Sequence, residues 1–314
     1  MIIYISLFYS KSYWGALARS VITAMNMLEK QKQIKAFNVI FGTERGDNIS
    51  LVIYTAGVNE KKACLDYLKP YFHEFFTKQP SPQNNSGLAR TELFMNFPNN
   101  SIQFNLYKND FIPENQEPDL TVEHFAGLSR LFLANLPKKS FRQWLSEPVT
   151  GLFISQALLL KAFEVDPDEG RRIFKYLLLQ VNRELRYYDT LYLGTVESTA
   201  AMTQKNMQLE FEQNSEFLTD VLVSIFDTPA DDLVFDDDFY NTYYRLCCNS
   251  YSGFLAQHRI SGKLTESQQK KKKNWLQQVI RSQIGLLGLP PANELLLFYF
   301  SKKAFHVYHE LEVS

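Results

Sequence analysis

Two runs of aromatic and β-branched residues, separated by a short polar turn, occupy the segment from Phe37 to Tyr54. Residues of these types favour β-strands, whereas the Gly, Asp and Asn in the turn tolerate the dihedral angles of a tight reversal. The pattern predicts a β-hairpin. Side chains alternate between the two faces of a strand, so Ser50, Val52 and Tyr54 are expected to share one face and the intervening apolar residues the other.

The chain on either side of the hairpin alternates between strand and helix patterns. Runs of β-branched and aromatic residues predict a strand at Ile2–Tyr9 and further strands at Leu93–Phe97 and Ile102–Tyr107. Apolar residues at helical spacing predict amphipathic helices over Trp14–Glu29 and Lys61–Phe76. The order β-α-β-β-α-β-β indicates an α+β lobe with a mainly antiparallel sheet and two helices.

From Val122 onwards the pattern is almost entirely helical. A loop with Pro113 and Pro118 precedes this region, and prolines interrupt regular structure. We therefore expect an α+β fold with a sheet lobe at 1–112 and a mostly helical lobe at 113–314, integrated into one domain. The helices of the second lobe are expected near Val122–Asn135, Ser140–Trp144, Leu152–Phe163, Asp168–Tyr188, Ala200–Phe226, Asp237–Ser250, Ser267–Leu287 and Asn293–Leu311.

Two helix ends carry local signals. Either Asp166 or Asp168 could cap the helix that follows, because a carboxylate accepts hydrogen bonds from the first backbone amides of a helix. Gly288 suits the position just after a helix, and the prolines at positions 290 and 291 stop the preceding helix from continuing.

Composition and charge narrow the class of protein. The net charge is −1 and charged residues make up 21% of the chain, so no nucleic-acid surface is indicated. No apolar run approaches the ~20 residues that span a bilayer, and the N-terminus lacks the basic region and cleavage site of a signal peptide. We therefore expect a cytoplasmic protein that does not enter a membrane.

Common catalytic and metal-binding motifs are missing from the sequence, which has no Walker loop, GxGxxG, GxSxG or HExxH and no CxxC pair. His306 and His309 lie three residues apart on a predicted helix, but no third ligand accompanies them, so surface histidines are the favoured interpretation. His124 could act as an acid or base, although a polar residue at a helix start is the simpler explanation. No metal and no organic cofactor is predicted.

Three segments of the chain carry a resemblance to a known family. They are the opening strand Tyr4–Tyr9, the hairpin Phe37–Tyr54 and the segment Ile284–Glu294, which contains a Leu-Gly-Leu sequence between two helices. The order of these segments and their local amino-acid sequences resemble the C-terminal, glutamate-eliminating domain of lantibiotic dehydratases. That domain also occurs as a stand-alone thiopeptide-type bacteriocin biosynthesis protein. Together the three segments bracket nearly the whole chain.

The resemblance implies a role in modifying a ribosomally made precursor peptide. Domains of this family remove glutamate from a glutamylated Ser or Thr and leave a dehydroamino acid, and related stand-alone members close a pyridine ring between two dehydroalanines. Both reactions need a base and cations that stabilise developing negative charge, and arginine suits the second task. The implied partners are the precursor peptide and a separate glutamylating dehydratase subunit, and neither reaction demands a cofactor.

The chain departs from the family at its charged positions. Arginines on the family's second hairpin strand correspond to Ser50 and Val52 here, and the segment Phe111–Pro118 lacks the arginine expected after the sheet. The family's histidine falls within positions 281–283, none of which is histidine. Losing one charge-stabilising group typically costs ~10²–10³ in rate, so the sequence leaves open whether the chain is an enzyme.

Three functions fit this sequence. The first is a divergent lyase-type enzyme that eliminates glutamate or carries out a related ring closure. The second is a non-catalytic peptide-binding subunit of a modification complex, and the third is an α+β protein-interaction scaffold. For an enzyme, correspondence of position makes Arg281, Arg45 and Lys108 the candidate catalytic cations. The candidate substrate-binding residues are Ser50, Val52, Tyr54 and Gln283.

Overall fold

The structure, a computed structural model, describes residues 1–43, 45–82, 96–106, 120–146, 148–192, 196–289 and 291–313. A small antiparallel sheet near the N-terminus is followed by a mostly helical region, which confirms the α+β fold class. The strands are β1 (Ile2–Phe8), β2 (Ile34–Gly42), β3 (Asn48–Thr55) and β4 (Ser101–Phe104). The helices are α1 (Trp14–Lys30), α2 (Val58–Lys78), α3 (Leu120–Asn135), α4 (Lys139–Ser146), α5 (Pro148–Ala162), α6 (Pro167–Tyr192), α7 (Val196–Phe226), α8 (Asp238–Gln257), α9 (Glu266–Leu286) and α10 (Pro291–Val313).

The predicted helices are all present, and only one predicted strand differs from the described structure. Residues 93–95 of the strand predicted at Leu93–Phe97 lie outside the described residues, and Asn96 and Phe97 belong to no strand. The Phe97 N–H instead donates to the Arg45 carbonyl in the hairpin turn at 2.8 Å. Within the described residues, this hydrogen bond links Phe97 to the hairpin turn.

The described residues form two compact units. The first comprises Met1–Ser146 together with Gly285–Gly288, and the second comprises Glu147–Ile284 together with Leu289–Ser314. The loop predicted to join the lobes, Asn109–Asp119, lies outside the described residues. The lobe limits 1–112 and 113–314 therefore stay a prediction.

In the first unit, the strands form one antiparallel sheet in the order β2-β3-β1-β4. Ile5 pairs with Leu51 on one side and with Phe104 on the other, and Leu51 also pairs with Val39. Residues that face each other across a ladder point to the same side, so this register collects apolar side chains on one face. This apolar sheet face consists of Ile3, Ile5, Leu7, Phe37, Val39, Phe41, Ile49, Leu51, Ile53, Ile102 and Phe104.

Helix α1 packs on the apolar sheet face. Its buried residues recur at helical spacing, and Leu17 and Leu28 are fully buried among them. At the start of the helix, the Trp14 ring lies 5.4 Å from the Phe41 ring between centroids. The Trp14 indole N–H donates to the Tyr9 carbonyl at 2.8 Å, so this buried polar atom is satisfied.

In the second unit, helix α10 packs along α5, α6 and α7. The rings of Phe298 and Phe305 on α10 lie 6.2 and 5.5 Å from the ring of Phe174 on α6. Of the two predicted caps of α6, Asp166 is the one observed, because its carboxylate accepts the Glu169 N–H at 2.8 Å. No helix in the described part of the chain has the length and apolar character needed to cross a membrane.

Gly288 ends α9 in the left-handed conformation, with a φ of +59°. Its N–H donates to the Gly285 carbonyl at 3.1 Å, and the Leu289 N–H donates to the Ile284 carbonyl at 3.5 Å. These bonds satisfy carbonyl groups that the helix itself leaves without partners. A Cβ at position 288 would lie 2.0 Å from the Phe41 carbonyl oxygen on β2, so the position admits only glycine.

We expect the substitution Gly288→Ala to lower the free energy of unfolding by about 2 kcal/mol or more. A left-handed conformation costs a residue with a side chain ~1–2 kcal/mol, and the added methyl group overlaps the Phe41 carbonyl. Urea unfolding measures the change. Gly262→Ala is the matched control, because no atom lies within 4 Å of its Cβ position. Equal stability of the two variants would contradict this account of Gly288.

Candidate functional site

Amide and hydroxyl side chains are concentrated on the other face of the same sheet. Ser50, Val52 and Tyr54 share this face, in agreement with their predicted alternation along β3. We term it the polar sheet face. Its members are Ile2, Tyr4, Ser6 and Phe8 of β1; Ala36, Asn38, Ile40 and Gly42 of β2; Asn48, Ser50, Val52 and Tyr54 of β3; and Ser101 and Gln103 of β4.

A chain of hydrogen bonds crosses the polar sheet face. The Ser50 hydroxyl donates to the Asn48 side-chain oxygen at 3.0 Å and lies 2.7 Å from the Ser6 hydroxyl. Since Ser50 has one proton and gives it to Asn48, Ser6 must be the donor to Ser50. The Asn48 amide nitrogen then donates to the Gly46 carbonyl at 3.0 Å. This network is neutral, and it can bind amide or carbonyl groups but cannot neutralise a charge.

Exposure differs among the three predicted substrate-binding residues of β3. Val52 and Tyr54 are each 1% exposed, whereas Ser50 is partly exposed. A strand whose residues are buried on both faces offers few side chains to a ligand. Among these three residues, Ser50 is therefore the one that a peptide can reach in the arrangement observed. Peptide contacts by Val52 and Tyr54 stay a prediction.

Asn38 was not identified from the sequence as a site residue. It pairs with Val52 on the polar sheet face and is fully buried, yet neither its amide oxygen nor its amide nitrogen has a hydrogen-bond partner among the described residues. Leaving a buried polar group unsatisfied costs about 1–3 kcal/mol. The sequence did contain a signal, because Asn38 is the one amide within the apolar run from Phe37 to Phe41.

Among the candidate cations, Arg45 lies in the turn between β2 and β3, close to the end of the polar sheet face. Its guanidinium carbon sits 4.0 Å from the centre of the Phe97 ring, within the range of a cation–π interaction. The Phe97 ring in turn lies 4.8 Å from the ring of Phe8, a member of the polar sheet face. Arg45 is thus a positive charge at the edge of this surface. Lys108 lies outside the described residues.

Arg281, in the second unit, is held by two carboxylates. Its two terminal nitrogens donate to both oxygens of Glu184 on α6, and Nε donates to Glu294 on α10 at 3.2 Å. The bond to Glu184 raises the pKa of Arg281, and burial raises the pKa of Glu294 although Arg281 opposes this. The Glu184 side chain is 49% exposed, so it is the partner that a substrate carboxylate would have to displace.

Gln283 follows Arg281 on α9, but the two side chains do not form one site. A separation of two residues places them roughly 200° apart around a helix. The Gln283 side-chain amide donates to the Tyr243 hydroxyl at 2.5 Å, and both residues are 1% exposed. Burial raises the pKa of Tyr243, so this hydroxyl is neutral at pH 7. Gln283 and Tyr243 therefore form a buried neutral pair.

His124, the candidate acid or base on α3, is buried and not a surface residue at the helix start. Burial lowers its pKa to about 4, because the charged imidazolium would lose its hydration. Its ring meets the Phe125 ring edge-on at a centroid distance of 5.6 Å. The imidazole is therefore neutral at pH 7.

We expect His124 to make the stability of the protein depend on pH. Its folded-state pKa is depressed from 6.5, so its contribution is complete above pH 6.5 and is lost as the pH falls towards 4. The loss should reach about 3 kcal/mol of unfolding free energy. Unfolding of wild type and His124→Phe across this range measures it, and His73→Phe, which removes an exposed histidine, is the control. A pH-independent difference between wild type and His124→Phe would contradict the expectation.

Comparisons with known proteins identify relatives by fold and not by sequence. No protein-family model matches the chain, and no curated protein matches it. Among solved structures, the chain is similar to the pyridine synthase TbtD from thiomuracin biosynthesis, with a TM-score of 0.67, 13% identity and coverage of 99% of each chain. It is also similar to TsrL, with a TM-score of 0.56, 11% identity and coverage of 99% of this chain and 95% of that one. The likeness shows a shared fold.

Proposed function

We propose that this chain acts on a ribosomally made precursor peptide during the biosynthesis of a thiopeptide-type product. The observation that carries the proposal is the likeness to a pyridine synthase over 99% of both chains. A likeness confined to the sheet would indicate a common structural module. Coverage of the whole chain supports a related task, although fold alone does not fix a reaction.

The chemistry of the polar sheet face favours ring closure between two dehydroalanines over elimination of glutamate. Elimination expels a carboxylate and therefore benefits from a cation at the site. No arginine or lysine has a paired position on the polar sheet face in the four described strands, and Lys35 of β2 lies at the register shift without a paired residue. Closure of the pyridine ring joins two alkenes with the nitrogen and carbonyl carbon of a neighbouring backbone amide, and water and the amide on the second alkene leave. All of these groups are uncharged, and neutral donors and acceptors such as Ser50 and Asn48 can hold the backbone amides beside them.

In this proposal Ser50 is the first residue of the site that the peptide meets. Its hydroxyl oxygen can accept an N–H of the peptide while its proton stays with Asn48. Arg45, at the edge of the same face, supplies a positive charge for a peptide carbonyl or carboxylate. Arg281 contributes to the second unit by joining α6, α9 and α10, and its replacement would test stability as much as catalysis.

We expect the protein to consume both alkenes of a synthetic peptide that contains two dehydroalanines. Mass spectrometry after addition of a thiol counts the remaining alkenes, because each dehydroalanine adds one thiol and a closed ring adds none. A second peptide with glutamylated serine tests elimination, which would appear as loss of glutamate and gain of one thiol-reactive alkene.

Each remaining outcome of this experiment has a distinct meaning. Binding of both peptides without modification would exclude both reactions and favour the peptide-binding subunit. A protein that binds neither peptide would contradict the proposal as a whole and favour the interaction scaffold.

We expect Ser50→Ala to lower kcat for the modification about tenfold. The substitution removes the central hydroxyl of the network, and one hydrogen bond of about 1.4 kcal/mol in the transition state corresponds to that factor. Ser215→Ala on α7 is the matched control, since it removes a hydroxyl that bonds the Glu212 carbonyl of its own helix. If Ser50→Ala and Ser215→Ala turn over equally fast, Ser50 does not belong to the site.

A further inference from the structure

The two edges of the sheet differ in the described elements that cover them. On the β2 edge, the Val39 N–H donates to the Ser129 hydroxyl of α3 at 2.9 Å, so a helix covers this side. At the opposite edge, no other described strand pairs with the outer side of β4, and all four residues of β4 are partly exposed. An edge strand of this kind presents backbone groups that can pair with another chain.

The register identifies which backbone groups of β4 point outwards. The Asn105 N–H donates to the Tyr4 carbonyl of β1 at 3.0 Å, and Ser6 pairs with Gln103 in the same ladder. In an antiparallel pair, alternate residues direct their N–H and C=O groups towards the partner strand. Residues 101, 103 and 105 therefore face β1, and Ile102 and Phe104 direct their backbone groups away from the sheet.

A cavity of about 370 Å³ lies beside this edge, between α2 and the end of β4. Its apolar wall includes Ile3 and Phe104 from the apolar sheet face. The space is large enough for one bulky apolar side chain of an added strand. The lining residues are Ile3, Lys61, Leu65, Asp66, Lys69, Pro70, Phe104 and Asn105.

The rim of the cavity carries positive charge. Lys61, Leu65 and Lys69 are spaced four residues apart, so they form one stripe along α2. Asp66 is the single acidic residue in the lining, so the two lysines and this aspartate give the lining a formal net charge of +1. Lys61 donates to the Ile2 carbonyl at 3.2 Å, whereas Lys69 is exposed. An acidic side chain of a ligand would be attracted to this positively charged rim.

We propose that the outer edge of β4 binds the precursor peptide as an added β-strand. The peptide pairs with the backbone of Ile102 and Phe104, places an apolar side chain in the α2–β4 cavity and sets an acidic side chain beside Lys69. The identity of the occupant rests on the proposed function, and the segment recognised is an extended one of alternating apolar and acidic residues. A second copy of this chain fits less well, because two identical basic rims would repel each other.

The decisive variant removes one outward N–H without touching the ladder. Ile102→Pro deletes that N–H, and proline is tolerated on an edge strand when its nitrogen faces away from the sheet. Gln103→Pro deletes an inward N–H instead and should lower the melting temperature.

Lys69→Glu tests the charge of the rim at an exposed position. The probe is a fluorescein-labelled peptide of alternating Leu and Glu residues, compared with the same peptide carrying Lys in place of Glu.

We expect wild type to bind the Leu/Glu probe and to discriminate against the Leu/Lys probe. Ile102→Pro and Lys69→Glu should each weaken binding about tenfold while their melting temperatures stay near that of wild type. Binding should also slow amide hydrogen exchange at Ile102 and Phe104. Unchanged exchange at these amides, or wild-type affinity of Ile102→Pro, would overturn the proposal. Dimers that dissociate in Ile102→Pro would overturn it in favour of a second copy.

A kinetic readout separates this inference from the proposed function. With a precursor peptide that wild type modifies, Ile102→Pro should raise KM about tenfold and leave kcat unchanged. If wild type modifies the peptide and Ile102→Pro has the same KM, the β4 edge is not the docking site and the proposed function stands. If wild type binds the probe at β4 but modifies neither dehydroalanine nor glutamylated peptides, the proposed reactions fail and the docking surface stands.

Discussion

The antiparallel register of β1, β2 and β3 is the constraint on which the first unit depends. A shift of one residue would exchange the two faces of the sheet and place Ser6, Asn48 and Ser50 against α1. The register is fixed because one face is uniformly apolar and buries the heptad-like row of α1 residues, including Leu17 and Leu28. Gly288 adds a second restraint, since the close approach of its backbone to the Phe41 carbonyl holds the end of α9 against β2.

That constraint leaves a surface whose chemistry is neutral. Ser6, Ser50 and Asn48 satisfy one another, and Asn38 lies buried on the same face without a partner among the described residues. Neutral donors and acceptors can bind peptide amides, and this binding does not require a charged group on the peptide. Two positive groups of this unit lie at the margins of the sheet, with Arg45 at the hairpin turn and Lys69 beside β4. In the proposed function, this distribution would separate peptide docking at the margins of the sheet from the reaction at the polar sheet face.

One cluster of charged residues in the second unit joins helices. Arg281 links α6 to α10 through Glu184 and Glu294, and its guanidinium is occupied on the terminal and the Nε sides. Removing Arg281 from this cluster leaves the buried Glu294 carboxylate without its compensating charge. Gln283, two residues further on, belongs to a separate neutral pair with Tyr243. Arg281 and Gln283 therefore both have partners within the second unit.

The sequence by itself determined most of the secondary structure, the α+β class and the two faces of β3. Those features follow from local periodicity, because the two-residue period of a strand and the 3.6-residue period of a helix can be read from neighbouring residues. Gly288 and Asp166 were predictable for the same reason, since caps act within one turn of a helix.

Only the tertiary structure decided which site residues can be reached and which partners they have. Val52 and Tyr54 share a face with Ser50 yet are buried, and burial depends on what packs above a strand. Arg281 is paired with Glu184 across 97 residues of sequence, and no local pattern encodes such a separation. The place of β4 at the edge of the described sheet likewise follows from strand order, which non-local pairing sets and sequence periodicity does not.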